Sequence, residues 1–247
     1  MKIEIKLKKI DLVFNEKDHS YMLNGIYVPG VTTAIGVLPK PALVPWAAKL
    51  TSEAIGKLID PDKPYTRTEI DELCKKGKMA WREKKESSAD KGTEAHKFLE
   101  SYVKTAFQED VVTFPLPTDP DVKNSIEKFM QWEKEHTVEW MMSEVRIASE
   151  EHQFAGTLDA LAVVDGRLTL IDFKTSAGIY ESFYIQTAGY QICLEELGCI
   201  PDQRMILWIP KEGKKFEGHI VSTTYGQDKQ AFLTALAMYR VLQGYKK

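Results

Sequence analysis

The sequence predicts a protein of mixed α and β structure, in the α/β (α+β) class, from its turn signals and its apolar spacing. Asp165-Gly166 and Asn24-Gly25 each stand between two apolar runs. Such pairs are strong hairpin signals, because a two-residue primed turn needs a positive φ, which glycine accepts. Between and after these hairpins, apolar residues recur at helical spacing in several segments.

Composition favours a globular protein of the reduced cytoplasm. The 247 residues allow one large domain or a domain with a subdomain, and 43% hydrophobic with 28% charged residues is ordinary for such proteins. The net charge of −3 requires any DNA-binding surface to be local. Three scattered cysteines form no CxxC pair, so no iron–sulfur cluster is expected. The N-terminus does not resemble a signal peptide, and no apolar run approaches the ~18 residues of a membrane helix, so no membrane contact is expected.

The N-terminal part of the chain predicts strands followed by helices. Residues 2–8 alternate charged and apolar side chains, which indicates a half-exposed strand. After the first hairpin signal, Thr32 and Thr33 either cap a short helix or bond a phosphate. A helix is then predicted over about 42–57.

A further helix is predicted to begin at Thr66 and to end near Lys85, because Thr66 and Glu69 form a capping box. Ser87 or Ser88 then caps the next helix, which carries His96. The first of these helices contains the most basic stretch of the chain, which is explained either by a solvated helix face or by a nucleic-acid contact. Its cations are Lys75, Lys76, Lys78, Arg82, Lys84 and Lys85, with Trp81 among them.

The second half of the chain alternates between extended and helical patterns. Residues 137–148 predict an extended segment that places Glu144 on one face with Trp140 and Met142, as a site residue or as the partner of a Lys or Arg. The other predicted elements are a loop over 106–120, a helix beginning at Asp119-Pro120, helices over 181–197 and 227–242, and strands over 203–210 and 216–222.

The hairpin over residues 154–176 brings acidic side chains together. If Asp165 and Gly166 are the two turn residues, Asp159 lies directly opposite Asp172. Lys174 points to the same face as Asp172, because side chains alternate along a strand.

Two opposed carboxylates need a cation or a shared proton, since like charges with Cβ atoms roughly 4.5–5.5 Å apart destabilise a strand pair. Lys174 is one candidate cation, and a hard divalent ion such as Mg²⁺ or Mn²⁺ is the other. With a metal, two carboxylates and a lysine suit the attack of water on an ester. Without one, Lys174 forms a structural salt bridge with one aspartate while the other is solvated.

Four spaced motifs coincide with this arrangement. They are GTEAH at 92–96, GTLD at 156–159, DFKTS at 172–176 and QTAGY at 186–190. In this order they resemble the PD-(D/E)XK nuclease superfamily, and within it the RecB-like branch. The segments VTT at 31–33, KPAL at 40–43 and WAA at 46–48 resemble the N-terminal part of phage-type exonucleases of that branch.

The resemblance implies a restriction-endonuclease-like core, with a central mixed β-sheet flanked by helices, N-terminal strands and a helical insert. It implies a single nuclease domain over 1–247, with N-terminal strands and helices over 1–87 and a catalytic core over 88–247. The implied ligands of Mg²⁺ or Mn²⁺ are His96, Asp159, Asp172 and the Phe173 carbonyl. The implied catalytic residues are Asp159, Asp172 and Lys174, with Lys174 orienting or activating the attacking water. Gln186 and Tyr190 would position Lys174 and the scissile phosphate, and Thr32 and Thr33 would contact the DNA backbone.

The first functional hypothesis is therefore a metal-dependent DNA exonuclease, acting in phage recombination or in DNA repair or replication. Its partners would be DNA, as linear duplex or single strand, and a single-strand-annealing or recombination protein. Its location would be the cytoplasm, that of a bacterial host if the chain is phage-encoded. The alternatives are a catalytically silent nucleic-acid- or protein-binding module on the same fold, and a metal-dependent hydrolase of a non-nucleic substrate.

Overall fold

The computed structural model describes residues 5–108, 116–209, 217–220 and 222–245. The chain divides into two compact units, a larger one of Met1–Leu38 with Glu94–Lys247 and a smaller one of Pro39–Thr93. The N-terminal strands therefore belong to the unit that contains the central sheet, and not with the helices that follow them in sequence.

A three-stranded antiparallel sheet opens the larger unit, formed by β1 (Leu12–Asn15), β2 (Ser20–Leu23) and β3 (Ile26–Val28). The predicted turn at Asn24-Gly25 is confirmed, since φ is 51° and 75° at these residues and Leu23 pairs with Ile26. The strand predicted over 2–8 is wrong where the structure describes it, from residue 5. Ile5 and Leu7 pack against the main core, so their alternation reflects burial without a partner strand.

A short helix, α1 (Val31–Ala34), and a 3₁₀ turn follow the N-terminal sheet. The smaller unit contains α2 (Leu43–Leu58) and the first part of α3 (Arg67–Gln108), which confirms the helix predicted over 42–57. The capping box is also confirmed, because Glu69 N donates to Thr66 Oγ1 and Thr66 N donates to a Glu69 carboxylate oxygen, at 3.3 and 2.8 Å.

The predicted helix boundary at Ser87 and Ser88 is wrong, because α3 continues through both residues to Gln108 as one helix of 42 residues. Serine costs a helix interior less than about 0.7 kcal/mol relative to alanine, and no proline interrupts this segment. A serine pair alone therefore does not stop a helix whose neighbouring turns are favourable.

The remaining elements follow the predicted order. The helix predicted to begin at Asp119-Pro120 is confirmed, and the Asp119 side chain caps it by accepting from Asp121 N and Val122 N. Part of the loop predicted over 106–120 lies outside the described residues, and residues 106–108 are helical. The elements are α4 (Pro120–Glu135), β4 (Val138–Ser149), β5 (Phe154–Val164), β6 (Arg167–Lys174), α5 (Glu181–Glu196), β7 (Gln203–Trp208), β8 (Glu217–Ile220) and α6 (Tyr225–Gly244).

These strands form a mixed sheet in the order β4-β5-β6-β7-β8, in which β6 and β7 are parallel and the other pairs antiparallel. One face of the sheet packs on α4 and the end of α3, through residues such as Leu99 and Phe129. The other face packs on α1, α5 and α6, through residues such as Leu194 and Phe232. The predicted central mixed sheet flanked by helices is thus confirmed. No helix in the described part of the chain is long and apolar enough to cross a membrane.

A buried ion pair and its hydrogen bonds connect β7 to α5 and α6. Arg204 is fully buried, and its guanidinium lies 2.8 Å from Asp228 Oδ2 in α6. It also donates to Tyr184 O and Thr187 Oγ1 of α5, at 2.9 and 3.1 Å. This one side chain therefore joins three elements of the layer that carries α5.

We predict that Arg204→Met lowers the free energy of unfolding by about 3–5 kcal/mol, because it leaves the Asp228 carboxylate without its buried cation. Urea unfolding followed by circular dichroism measures this loss. Arg167→Met, at an exposed position of β6, is the matched control and should change stability by less than about 0.5 kcal/mol. Equal losses in the two variants would contradict this account of the ion pair.

Candidate active site

The strand ladder between β5 and β6 stops where the two predicted aspartates meet. The Asp165-Gly166 turn is confirmed by φ values of 50° and 81°, and pairing runs from the turn to Ala160 opposite Ile171. Beyond that pair, the Asp159 side chain itself accepts a hydrogen bond from Phe173 N, at 2.7 Å. The predicted register is thus confirmed up to the pair next to Asp159 and Asp172, where this side-chain bond takes the place of the ladder.

Asp172 is the most deeply buried acid of this group, with its side chain 1% exposed. Its Oδ2 lies 2.6 Å from Lys174 Nζ, and its Oδ1 accepts a 3.3 Å hydrogen bond from Gln186 Nε2 on α5. No well-oriented hydrogen bond from the described residues reaches Oδ2. The predicted shared face of Asp172 and Lys174 is therefore confirmed, and one buried oxygen retains accepting capacity.

Lys174 is held at the end of β6 by contacts on two sides. Its ammonium pairs with Asp172 and lies 4.9 Å from the centre of the Phe183 ring. Its side chain is 15% exposed, so the charge is largely shielded from water without being sealed off. The structural salt bridge considered from sequence does form. Asp159, however, is not solvated, since its side chain is also only 15% exposed.

Gln186 and Tyr190 lie one helical turn apart on α5 and contact each other and the site. Gln186 Nε2 donates to Tyr190 Oη at 2.9 Å, and the same amide reaches Asp172. The Tyr190 ring packs on Gly156, where an added Cβ would lie only 2.7 Å from the ring. The glycine that precedes Asp159 in the GTLD motif is thus required for the close approach of Tyr190.

His96 reaches the same region from α3. Its Nδ1 lies 3.9 Å from Asp159 Oδ2, and its ring meets Phe173 edge-on at 6.4 Å between centroids. The structure therefore brings His96, Asp159, Asp172, Phe173 and Lys174 together. Within the part of the chain that the structure describes, the ligand atoms of His96, Asp159 and Asp172 do not all lie within 4.8 Å of one another.

Glu144 and Glu100 add two carboxylates that extend the acidic side of the site. A β-bulge in β4 between Trp140 and Met142 places these two residues in opposite cores, so the predicted common face of Trp140, Met142 and Glu144 is wrong. After the bulge, Ser143 and Val145 pair with the residues on either side of Asp159, which sets Glu144 level with it. Glu144 has a φ of 51°, a conformation that few non-glycine residues adopt.

Burial and neighbouring charge raise the pKa of several of these acids. Burial raises the pKa of Glu144 to about 7, with further increases from the carboxylates of Asp159 and Glu100. Burial also raises the pKa of Asp172 to about 6, opposed by the Lys174 ammonium and reinforced by Asp159. The pKa of Asp159 is raised by burial, against the effects of Lys174 and the Phe173 N–H. These three acids are therefore harder to ionise than carboxyl groups in water.

Thr32 and Thr33 lie exposed on α1, whose Val31 packs in the same core as Tyr190. The predicted capping role is wrong, because Gly30 occupies the N-cap position and no side chain caps the helix. Both hydroxyls belong to a four-residue helix next to the glycine and tyrosine of the site. The DNA-backbone contact stays a prediction.

Glu151, His152 and Glu196 form a second group, with one ligand atom from each within 4.8 Å of the others. One Glu196 carboxylate oxygen accepts from the Ser149 hydroxyl, and the other accepts from Glu151 N at 3.2 Å. These bonds hold the turn between β4 and β5. Both Glu196 oxygens are thus already used by the fold.

No family model and no curated protein matches this chain. Among solved structures, the crystal structure of SSO0001 is similar at a TM-score of 0.39 and 13% sequence identity. The match covers 79% of this chain and 85% of the other. A likeness at this level bears on neither activity nor ligands.

We predict that, in metal-free protein, Asp172 titrates near pH 6, well above the ~3.9 of a free aspartate, because its ionised form is desolvated. Lys174→Met should raise this pKa further, since the ammonium stabilises the ionised form. Carbon-13 NMR of the carboxyl groups measures both. Asp165 serves as the internal control, because hydrogen bonds from His136 and Thr137 N lower its pKa. Asp172 titrating together with Asp165 would contradict the assigned burial.

Proposed function

We propose that this chain is a metal-dependent deoxyribonuclease, acting as an exonuclease in phage recombination or in DNA repair or replication. The observation that carries the proposal is the meeting of Asp159, Asp172 and Lys174 at the point where β5 and β6 stop pairing. Burying an ion costs several kcal/mol per charge, so two desolvated carboxylates beside one lysine are not explained by a gain in folding stability. The same three groups suit the hydrolysis of a phosphate ester.

The donor set fits a hard divalent cation. Asp159 and Asp172 offer carboxylate oxygens, which Mg²⁺ and Mn²⁺ prefer as ligands. Glu144 and Glu100, which pairs with Lys104, add negative charge nearby. The buried Oδ2 of Asp172 has accepting capacity left. In the proposal, the ion is held by Asp159, Asp172, His96 and the Phe173 carbonyl. When bound, such an ion polarises a phosphoryl oxygen and lowers the pKa of a bound water.

The protein's own residues would orient the reacting groups. Lys174 Nζ contacts Asp172 and the Phe183 ring, and in the proposal it holds the attacking water and neutralises charge that develops on the phosphate. Gln186 holds Asp172 from α5, and Tyr190 holds Gln186 in turn. Through these contacts Asp172 is held in one position, and Asp172 in turn holds Lys174. In the proposal, this keeps the reacting groups oriented for hydrolysis.

We expect Asp172→Asn and Lys174→Gln each to lower DNA cleavage by at least about 10²-fold, because each removes a charge in contact with the reacting groups. The assay follows end-labelled linear duplex, single-stranded and circular DNA with Mg²⁺ or Mn²⁺. Lys17→Gln, an exposed lysine in the turn after β1, is the charge-matched control and should cleave like the wild type. Circular dichroism checks that each variant is folded.

Cleavage should disappear in EDTA and return when Mn²⁺ or Mg²⁺ is added, with the circular DNA spared if the enzyme is an exonuclease. Activity that persists after chelation, or a folded Lys174→Gln variant that cleaves like the wild type, would rule out the proposed mechanism. Absence of cleavage under every metal would favour a catalytically silent binding module on the same fold.

A further inference from the structure

The first part of α3 carries a concentration of positive charge that the rest of the chain does not share. Between residues 75 and 85 there are six cationic side chains and one carboxylate, Glu83, in a chain of net charge −3. A strongly basic patch in an acidic protein is the local footprint expected of a surface that meets a polyanion. These residues all belong to the smaller unit.

Four of these cations follow one another along one side of the helix. Lys75, Lys78, Arg82 and Lys85 are spaced by three, four and three residues, so each lies one turn from the next, and all four are exposed. We call this row the basic stripe. At a rise of ~1.5 Å per residue it is about 15 Å long.

The basic stripe is costly for the helix that carries it. Like charges one turn apart destabilise a helix by roughly 0.2–0.5 kcal/mol for each pair. Lys78 and Lys85 have no acidic residue three or four positions away in either direction, and in the described chain neither forms an ion pair with a carboxylate. At the start of α3 the cations are paired, since Arg67 pairs with Asp71 and Lys75, the first cation of the stripe, pairs with Glu72. A face that served solubility alone would show the same balance.

An aromatic side chain borders the stripe. Trp81 lies one turn from both Lys78 and Lys85, is half-buried, and has the Arg82 guanidinium 5.6 Å from its ring centre. Surfaces that bind single strands combine cations along the phosphate backbone with aromatic rings on which bases stack. A duplex keeps its bases stacked inside and offers no base face to such a ring.

We infer that the basic stripe binds the phosphate backbone of single-stranded nucleic acid, a surface that rests on the proposed nuclease function for its use. Lys78 and Lys85 contact phosphates, and Arg82 with Trp81 forms the stacking edge between them. The strand that the enzyme degrades would thus be held by a helix surface built from residues other than those proposed to hold the metal.

The test compares two variants of the full chain that remove the same charge from different sides of α3. Lys78→Gln/Lys85→Gln changes the stripe, while Lys76→Gln/Lys84→Gln changes exposed lysines away from it. Binding to a fluorescent single-stranded oligonucleotide of about 20 nucleotides is measured by anisotropy in EDTA, across a range of salt. The stripe variant should bind about tenfold or more weakly, with a salt slope lower by about 1.4, as expected for two lost phosphate contacts. The control should stay within about twofold of the wild type.

Equal losses in the two variants, or no loss in either, would overturn the inference. So would equally tight, stripe-dependent binding of duplex DNA, or stronger stripe-dependent binding to phosphatidylserine vesicles. Thermal unfolding should show the stripe variant at least as stable as the wild type, because a repulsion has been removed. Hydrolysis of thymidine 5′-(p-nitrophenyl phosphate), which is too small to span the stripe, reports on the proposed chemistry separately. A protein that binds through the stripe but never hydrolyses this substrate refutes the nuclease proposal alone.

Discussion

The hydrogen bond from Phe173 N to the Asp159 carboxylate, at 2.7 Å, is the contact on which the rest of the site depends. It ends the ladder between β5 and β6 after the pair of Ala160 and Ile171. The same irregularity breaks the alternation of β5, since Leu158 and Leu161 both lie in the core under α5. The backbone hydrogen bonds between β5 and β6 therefore stop at Asp159, and Asp172 and Lys174 lie in the last residues of β6 beside this point.

The surrounding elements hold this opening in one geometry. Tyr190 can pack against β5 only because Gly156 has no side chain, and its hydroxyl accepts from the amide that reaches Asp172. On the face of the sheet opposite to Tyr190, the ring of His96 in α3 meets the Phe173 ring edge-on. Burying a carboxylate without partners destabilises a protein, and the Asp172 side chain is only 1% exposed. It is compensated by the Lys174 ammonium and by a hydrogen bond from the Gln186 amide. Under the proposed function, a bound divalent cation would add positive charge beside this carboxylate.

Sequence reasoning found the centre of the site, because its geometry is set by local rules. The primed turn at Asp165-Gly166 fixes the register of two strands, and strand alternation then fixes the shared face of Asp172 and Lys174. Two features escaped it for physical reasons. A bulge depends on tertiary packing, so the position of Glu144 beside Asp159 had no signal in the alternation of residues 138–149. Serine is only a weak helix breaker and no proline follows it in this segment, so α3 continues through Ser87 and Ser88.

The central claim is that Asp159 and Asp172 hold a divalent cation, and direct titration with Mn²⁺ tests it most simply, with electron paramagnetic resonance reporting the free ion. The wild type and a Glu151→Gln/Glu196→Gln variant should each bind Mn²⁺, because the latter alters only the acidic group in the turn between β4 and β5. Asp159→Asn/Asp172→Asn, folded by circular dichroism, should not bind. Retained binding in the aspartate variant, with binding lost in the glutamate variant, would place the metal in the turn and contradict the account.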